Sequence, residues 1–200
     1  MAKYVFYYFD LKGLGESCRL LLAYGDQEYE DRRVSREDWP DFKPKTPFGQ
    51  MPVLEVNGKL YAQSHAICSY LGRKYGLAGD TLEDGLEIDQ NVDLINDLRG
   101  KMTEIAYEQD PAAKETKFAN YSKTVFPDFL GKLNAVIEKN NGYLALGKLT
   151  WGDFYLAGLL DGIKTMVRDQ EFDKKYPAIQ KVVDNVYSVP KVKAYSESRK

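Results

Sequence analysis

One histidine, two cysteines and fifteen tyrosines bound the chemistry open to this chain of 200 residues. His65 cannot supply a His-rich metal site, and a Ser-His-Asp triad would have to be assembled around it alone. Cys18 and Cys68 are too few for a disulfide framework and form no CxxC pair, which predicts structural thiols in a reducing compartment. Tyrosine is abundant enough to make a phenol donor the natural instrument, although composition does not say which one. Asp89, Asp93 and Asp97 fall four residues apart, one acidic stripe on a helix, and a solvated face is its simplest reading. Ser64 stands where a helix N-cap would, with its hydroxyl beside exposed N–H groups at the positive end of a helix dipole.

Those side chains need elements to hold them. Tyr4 to Phe9 is a run of aromatic and β-branched residues ending at Asp10, Lys12, Gly13 and Gly15, a buried strand that leads into a loop. On such a strand Tyr7 and Tyr8 point to opposite faces, so only one of them can meet a given ligand. A helix follows, with Glu16 in its first turn, Cys18, Leu21 and Leu22 at helical spacing, and Gly25 placed to stop it. Residues 28–34 read as a second short strand. From Trp39 to Pro52, four prolines and one glycine predict a long loop without regular structure, and loops of that length in compact domains are usually functional. Asn57-Gly58, between Pro52-Val-Leu-Glu-Val and Lys59-Leu-Tyr-Ala, is the strongest short cue for a two-residue hairpin turn. After Gln63, Ser64 caps a helix in which Ala66, Ile67, Tyr70 and Leu71 recur at helical spacing.

A parallel first pair of strands with an antiparallel hairpin beside it makes a mixed sheet covered by helices. Residues 77–82 form a linker, and from Glu83 onward no strand pattern appears. Leu86, Val92, Ile95, Leu98, Met102 and Ile105 predict one long helix, and residues 115–140 another. Thr150-Trp151-Gly152-Asp153 is a capping box with Leu149 and Phe154 as its hydrophobic staple, opening a central helix that runs to about Arg168. The fold class is therefore α/β followed by all-α, with an α/β domain over 1–76, the linker at 77–82 and a helical domain over 83–200.

Bulk composition narrows the function classes. At 44% hydrophobic and 29% charged residues the chain is ordinary for a globular protein, which excludes wholesale disorder. Twenty-eight basic against 30 acidic residues leave a net charge of -2, so nucleic acid and anionic membrane surfaces are poor partners. No apolar run approaches the ~18 residues of a membrane span, and Met-Ala-Lys-Tyr lacks the apolar core of a signal peptide. A cytoplasmic protein is expected.

Particular motifs carry a resemblance over nearly the whole chain. Tyr8 at the end of the first strand, Trp39 and Lys43 in the proline loop, PFGQMPVLEV from Pro47 to Val56, Gln63-Ser64 and LTWGDF from Leu149 to Phe154 stand in the order of the cytosolic glutathione transferases. The aromatic first strand and Glu37-Asp38-Trp39-Pro40 resemble the sigma class, found in invertebrates and related to vertebrate haematopoietic prostaglandin D synthase. The resemblance implies a thioredoxin-like first domain that binds glutathione as co-substrate and a helical domain that holds a hydrophobic electrophile. Tyr8 would be the catalytic hydrogen-bond donor to the glutathione sulfur. Met51, before a cis Pro52, would pair with the cysteinyl backbone. Ser64 and Gln63 would take the γ-glutamyl group, with Gln50, Trp39 and Lys43 along the rest of the tripeptide. Asp97 would reach the γ-glutamyl ammonium in the partner subunit of a homodimer.

Two departures shape the function. Leu14 and Glu104 stand where the vertebrate prostaglandin synthase has an arginine and a tryptophan. Conjugation of lipid-peroxidation-derived or xenobiotic electrophiles, with glutathione peroxidase activity beside it, is thus the main reading. A prostaglandin isomerase and a non-enzymatic crystallin-like binding protein are the alternatives. The prostaglandin branch also binds a divalent metal near Asp93 and Asp97, but Asn96 interrupts that cluster here, so no metal is assigned. Neither cysteine lies on the exit loop of the first strand, which disfavours a disulfide reductase.

Overall fold

The computed structural model describes residues 3–199. Strand β1 (Tyr4–Phe9) lies inside a four-stranded sheet of order β2-β1-β3-β4, with β2 at Glu30–Val34, β3 at Val53–Val56 and β4 at Lys59–Ala62. β1 runs parallel to β2 and antiparallel to β3, and β3 and β4 form the expected hairpin. Its turn is Asn57-Gly58, both at positive φ, 51° and 83°, the conformation a two-residue hairpin turn demands of its central residues.

β1 alternates as a strand must. Tyr4, Phe6 and Tyr8 enter the large core shared with the helices, while Val5 and Tyr7 pack with Val53 and Ala62 on the other face. Helix α1 (Gly13–Tyr24) leaves β1 and lies along α7 (Trp151–Val167). Their approach is close enough that a Cβ at Gly158 would stand 2.4 Å from the Ser17 backbone nitrogen, so only glycine fits there. Ser17 Oγ uses that proximity to donate to the Tyr155 carbonyl at 3.0 Å. Cys18 and Cys68 meet in the same layer, wholly buried, with their sulfurs 3.6 Å apart as free thiols.

Within Trp39 to Pro52 the structure departs from the expected irregular loop. Trp39–Phe42 is a single helical turn, α2, and Lys43–Lys45 continues as a 3-10 turn. Pro40 and Pro44 occupy first-turn positions, where a missing N–H costs nothing and a fixed φ favours helix. The prolines seed turns here and do not prevent them.

Helix α3 (Ser64–Lys74) precedes α4 (Leu82–Ala106), which opens on a capping box between Thr81 and Asp84. Ile88, Val92, Ile95, Leu98, Met102 and Ile105 of α4 are buried, but Leu86, counted with them from the sequence, is 67% exposed. Two residues before Ile88, it lies on the opposite side of the helix.

The single helix expected over 115–140 is two, α5 (Pro111–Lys123) and α6 (Val125–Lys139). Pro127 explains the break, because in a continuous helix its ring would collide with the preceding turn, whereas in the first turn of α6 it does no harm. Three shorter helices follow α7: α8 (Phe172–Lys175), α9 (Pro177–Ser188) and α10 (Pro190–Ser198). The chain then returns to α1, where Arg199 pairs with the buried Glu16.

The expected capping box of α7 is present. Asp153, fully buried, accepts from the Thr150 N–H and hydroxyl at 2.7 and 2.8 Å and from the Leu144 N–H at 2.8 Å.

Candidate active site

Strand register brings the chemistry-bearing residues to one end of the sheet. Tyr7 of β1 pairs with Val53 of β3, and Val53 pairs with Ala62 of β4. The end of β1 therefore lies beside Met51-Pro52 on one strand and Gln63-Ser64 on the next. The Trp39 ring packs edge-on to Phe9 with centroids 5.7 Å apart, which draws α2 to the same end.

Tyr8 is buried at 7% exposure, and its ring lies across the start of α1. A Cβ at Gly15 would stand 2.3 Å from the Tyr8 ring and one at Gly13 2.8 Å from its hydroxyl, so both positions must be glycine for the phenol to sit there. The Leu14 N–H donates to Tyr8 Oη at 3.1 Å. With an acceptor lone pair engaged, the phenol proton points elsewhere, and among the described residues no acceptor takes it. Burial raises the Tyr8 pKa, outweighing the Leu14 hydrogen bond that lowers it. At neutral pH the group is a protonated donor.

Tyr7 is not available for that role. It stacks on Phe42 at 4.9 Å and donates to Glu55 Oε2 at 2.7 Å on the opposite face of the sheet. Burial first, and then the Glu55 hydrogen bond, push its pKa up to about 12.

Ser64 corrects the sequence reading. It is the first residue of α3, and the cap is Gln63, whose backbone takes φ 74° and ψ 110°. A left-handed conformation is costly for a residue with a side chain and clusters at functional positions. Ser64 Oγ lies instead 3.3 Å from Tyr155 Oη, which donates to Asn96 Oδ1 at 2.7 Å. Tyr155 was not singled out from the sequence. Its phenol, pushed up to about 12 chiefly by burial, ties the start of α3 to α4.

Met51–Pro52 is a cis peptide bond, as expected. Lys43 and Gln50 are exposed, Trp39 and Met51 half-buried. The acidic stripe divides: Asp93 and Asp89 face His65 at 3.2 and 3.7 Å, while Asp97 is exposed. His65 therefore has acidic neighbours that the sequence reading had not given it.

Two clefts meet at this end. One, of about 650 Å3, is lined by Gln63, Ser64, His65, Asn96, Arg99 and Tyr155. The second, of about 240 Å3, is lined by Tyr8, Leu14, Arg99, Met102, Ile163 and Met166. The first offers hydroxyl, amide and guanidinium groups to a polar ligand. The second is an apolar slot with one phenol at its edge, suited to holding an apolar molecule against a nucleophile held by Tyr8. Arg99 lines both clefts and was missed from the sequence, whereas Asn96, named there only as interrupting an acidic cluster, lines the first. Glu104 does not line the slot and instead accepts from Lys101 and Tyr121.

The chain is similar to known proteins over nearly its whole length. A family model described as "Glutathione S-transferase, N-terminal domain" matches residues 4–73, and one described as "Glutathione S-transferase, C-terminal domain" matches residues 96–199. The chain is 54% identical over 198 residues to "Glutathione S-transferase 2" of Manduca sexta, covering 99% of this chain and 97% of that protein. It is 35% identical to "Hematopoietic prostaglandin D synthase" of Gallus gallus, covering 100% of this chain and 98% of the other. The solved structure of prostaglandin synthase D of Nilaparvata lugens superposes with a TM-score of 0.93 at 41% identity, covering 99% of this chain and 98% of that one.

Proposed function

Because the chain belongs to the glutathione S-transferase family, and so uses glutathione as co-substrate, we propose that Tyr8 holds the glutathione sulfur as thiolate for attack on an electrophile in the Leu14–Met166 slot. The observation that carries this is the Tyr8 hydroxyl, fixed by the Leu14 N–H with its own proton uncommitted, at the edge of that slot.

Gln63 and Ser64, at the N-terminus of the 11-residue helix α3, take the γ-glutamyl carboxylate, where exposed N–H groups and the helix dipole favour negative charge. The Met51 backbone pairs with the cysteinyl unit as an added strand would. Trp39, Lys43 and Gln50 meet the remaining carboxylate and backbone. Asp97, exposed, completes the partner's site in a homodimer. Phe48, 65% exposed beside an apolar cleft of about 370 Å3 lined by Leu54, Leu60 and Tyr70, supplies the kind of surface a dimer buries.

Residues 1–76 form the glutathione domain and 83–200 the electrophile domain, joined at 77–82. We assign the chain to the sigma class in the cytoplasm; no helix among the described residues is long and apolar enough to cross a membrane.

Magnitudes show what the phenol contributes. Lowering a thiol pKa by ~2 units from ~8.5 raises the thiolate fraction at neutral pH from ~3% to ~75%. A Brønsted slope of ~0.4 to 0.5 then gives back roughly 6- to 10-fold in nucleophilicity. The net gain is a few-fold, so most acceleration comes from holding the sulfur and the electrophile together in a water-poor slot.

The same thiolate can reduce hydroperoxides. A second reading, prostaglandin isomerisation, is favoured by the likeness to the Nilaparvata lugens and Gallus gallus synthases, whereas Leu14 and Glu104 favour general conjugation. The test is turnover of 1-chloro-2,4-dinitrobenzene, an organic hydroperoxide and prostaglandin H2 side by side. Conjugation that falls a few-fold at neutral pH in Tyr8→Phe supports the main reading, and turnover of prostaglandin H2 alone overturns it.

A further inference from the structure

The first turn of α1 carries both contacts that fix Tyr8, the Leu14 N–H on its hydroxyl and Gly15 against its ring. Local capping does not secure that turn, because Lys12, the N-cap, makes no side-chain cap bond. The Lys12–Asp161 pair is exposed on both sides, where an ion pair is worth little. Glu16, the next residue after Gly15, is by contrast buried at 3% exposure. Its N–H closes the turn onto the Lys12 carbonyl at 2.9 Å, and its carboxylate reaches away from α1 to accept from Arg199, just beyond α10. Arg199 also donates to Tyr195 Oη at 2.7 Å, and that hydroxyl lies 3.4 Å from each Glu16 oxygen.

A buried carboxylate is strongly unfavourable alone and keeps its place only when paired and hydrogen-bonded. Glu16 therefore ties the start of α1 to α10, and Arg199 is the cation in that tie. Arg19 and Arg33, which act on Asp10 together with Arg199, do not replace it: Arg19 is committed to Asp31 at 3.1 Å, and Arg33 to Asp31 and Asp10. We propose that Arg199 is a positioning residue of the active site, which through Glu16 fixes the turn that presents the Leu14 N–H to Tyr8. Arg199 itself lines neither cleft. Without its guanidinium the Glu16 carboxylate turns toward water and draws the first turn of α1 with it. The Leu14 N–H then leaves Tyr8 Oη, the phenol loses its fixed orientation, and the glutathione sulfur loses part of its stabilisation.

This inference rests on the Tyr8 reading and deepens it. Its test is the pH at which bound glutathione thiol titrates in ultraviolet absorbance, with kcat/KM for 1-chloro-2,4-dinitrobenzene followed against pH and the glutathione Kd measured beside them. In Arg199→Gln the bound thiol should titrate about 0.5–1 unit higher, less than on loss of the phenol itself. The acidic limb of kcat/KM should move by the same amount, with Kd little changed. Arg199→Lys, which keeps the charge without the planar fork, should recover part of the difference. Glu16→Gln combined with Arg199→Gln leaves no buried charge, so it should fold even where Arg199→Gln does not. The thiol should still titrate high in it, because two amides do not span the distance that the arginine spans. On a Tyr8→Phe background Arg199→Gln should add nothing. A bound thiol that titrates as in the parent, in the folded single or double variant, overturns the inference and leaves Tyr8 standing. A full further rise on the Tyr8→Phe background also overturns it, because Arg199 then acts on the sulfur by another route. An unmoved titration in Tyr8→Phe alone removes the Tyr8 reading and the inference with it.

Discussion

Tyr8 Oη accepts the Leu14 N–H at 3.1 Å, across the six residues that turn β1 into α1. One contact thus does two things: it fixes the phenol against the helix start, and it occupies a lone pair so that the hydroxyl hydrogen is the group left to offer. The glycines at 13 and 15 make the contact possible.

Gly15→Ala would place a methyl 2.3 Å from the Tyr8 ring. Overpacking of this kind costs about 1–3 kcal/mol and is relieved by moving the ring. Conjugation should fall at least tenfold, whereas Gly131→Ala, with nothing within 4 Å of its added Cβ, should leave activity alone and add about 0.5–1 kcal/mol of stability. Steady-state kinetics and thermal unfolding of the two variants check the pair.

Ser64→Ala should weaken glutathione binding by about 1–3 kcal/mol if its hydroxyl meets a carboxylate. As the first residue of α3 and not its cap, Ser64 should show little of the ~1 kcal/mol stability loss that removing an N-cap brings. Calorimetric Kd and urea midpoints separate the two effects, and a large fall in stability with unchanged affinity would make the hydroxyl structural.

Asp97→Ala concerns the other subunit. An exposed helix position usually changes stability by less than ~0.5 kcal/mol, yet glutathione affinity should drop, since the partner's site loses its contact to the ammonium. Calorimetry at protein concentrations that span dimer dissociation should show affinity lost on dilution in the wild type and little further loss in the variant.

Asp153 gives a pH signature. Burial pushes its carboxyl up to about 6 against the hydrogen bonds from Leu144 and Thr150. Between the unfolded value of ~3.9 and 6 the folded chain keeps a proton that the unfolded chain has released, so this group's contribution to stability falls as pH rises through that window. Urea unfolding from pH 4 to 7 should show that slope, and Asp153→Asn should flatten it while lowering stability at every pH.

What could be read in the sequence was local. The Asn57-Gly58 turn, the Thr150–Asp153 box and the opposite facing of Tyr7 and Tyr8 depend on neighbours within a few positions, so residue types suffice. Ser64 was misread because the left-handed backbone at Gln63 takes over the cap, and nothing in a Gln-Ser pair announces a positive φ. The split at Thr124 was missed although Pro127 was its signal. Tyr155, Asn96 and Arg99 had no local signature: Tyr155 meets Ser64 from 91 residues away and Asn96 from 59. Only packing of α3, α4 and α7 brings them together.

Tyr8→Phe removes one hydroxyl and keeps the ring, so the most direct test is the ultraviolet titration of the glutathione thiol bound to each form. The bound thiol should titrate about 1–2 units higher in the variant, with glutathione affinity at neutral pH little changed and the loss of conjugation shrinking as pH rises. A bound thiol that titrates at the same pH in both forms would contradict the account and leave Tyr8 a core residue.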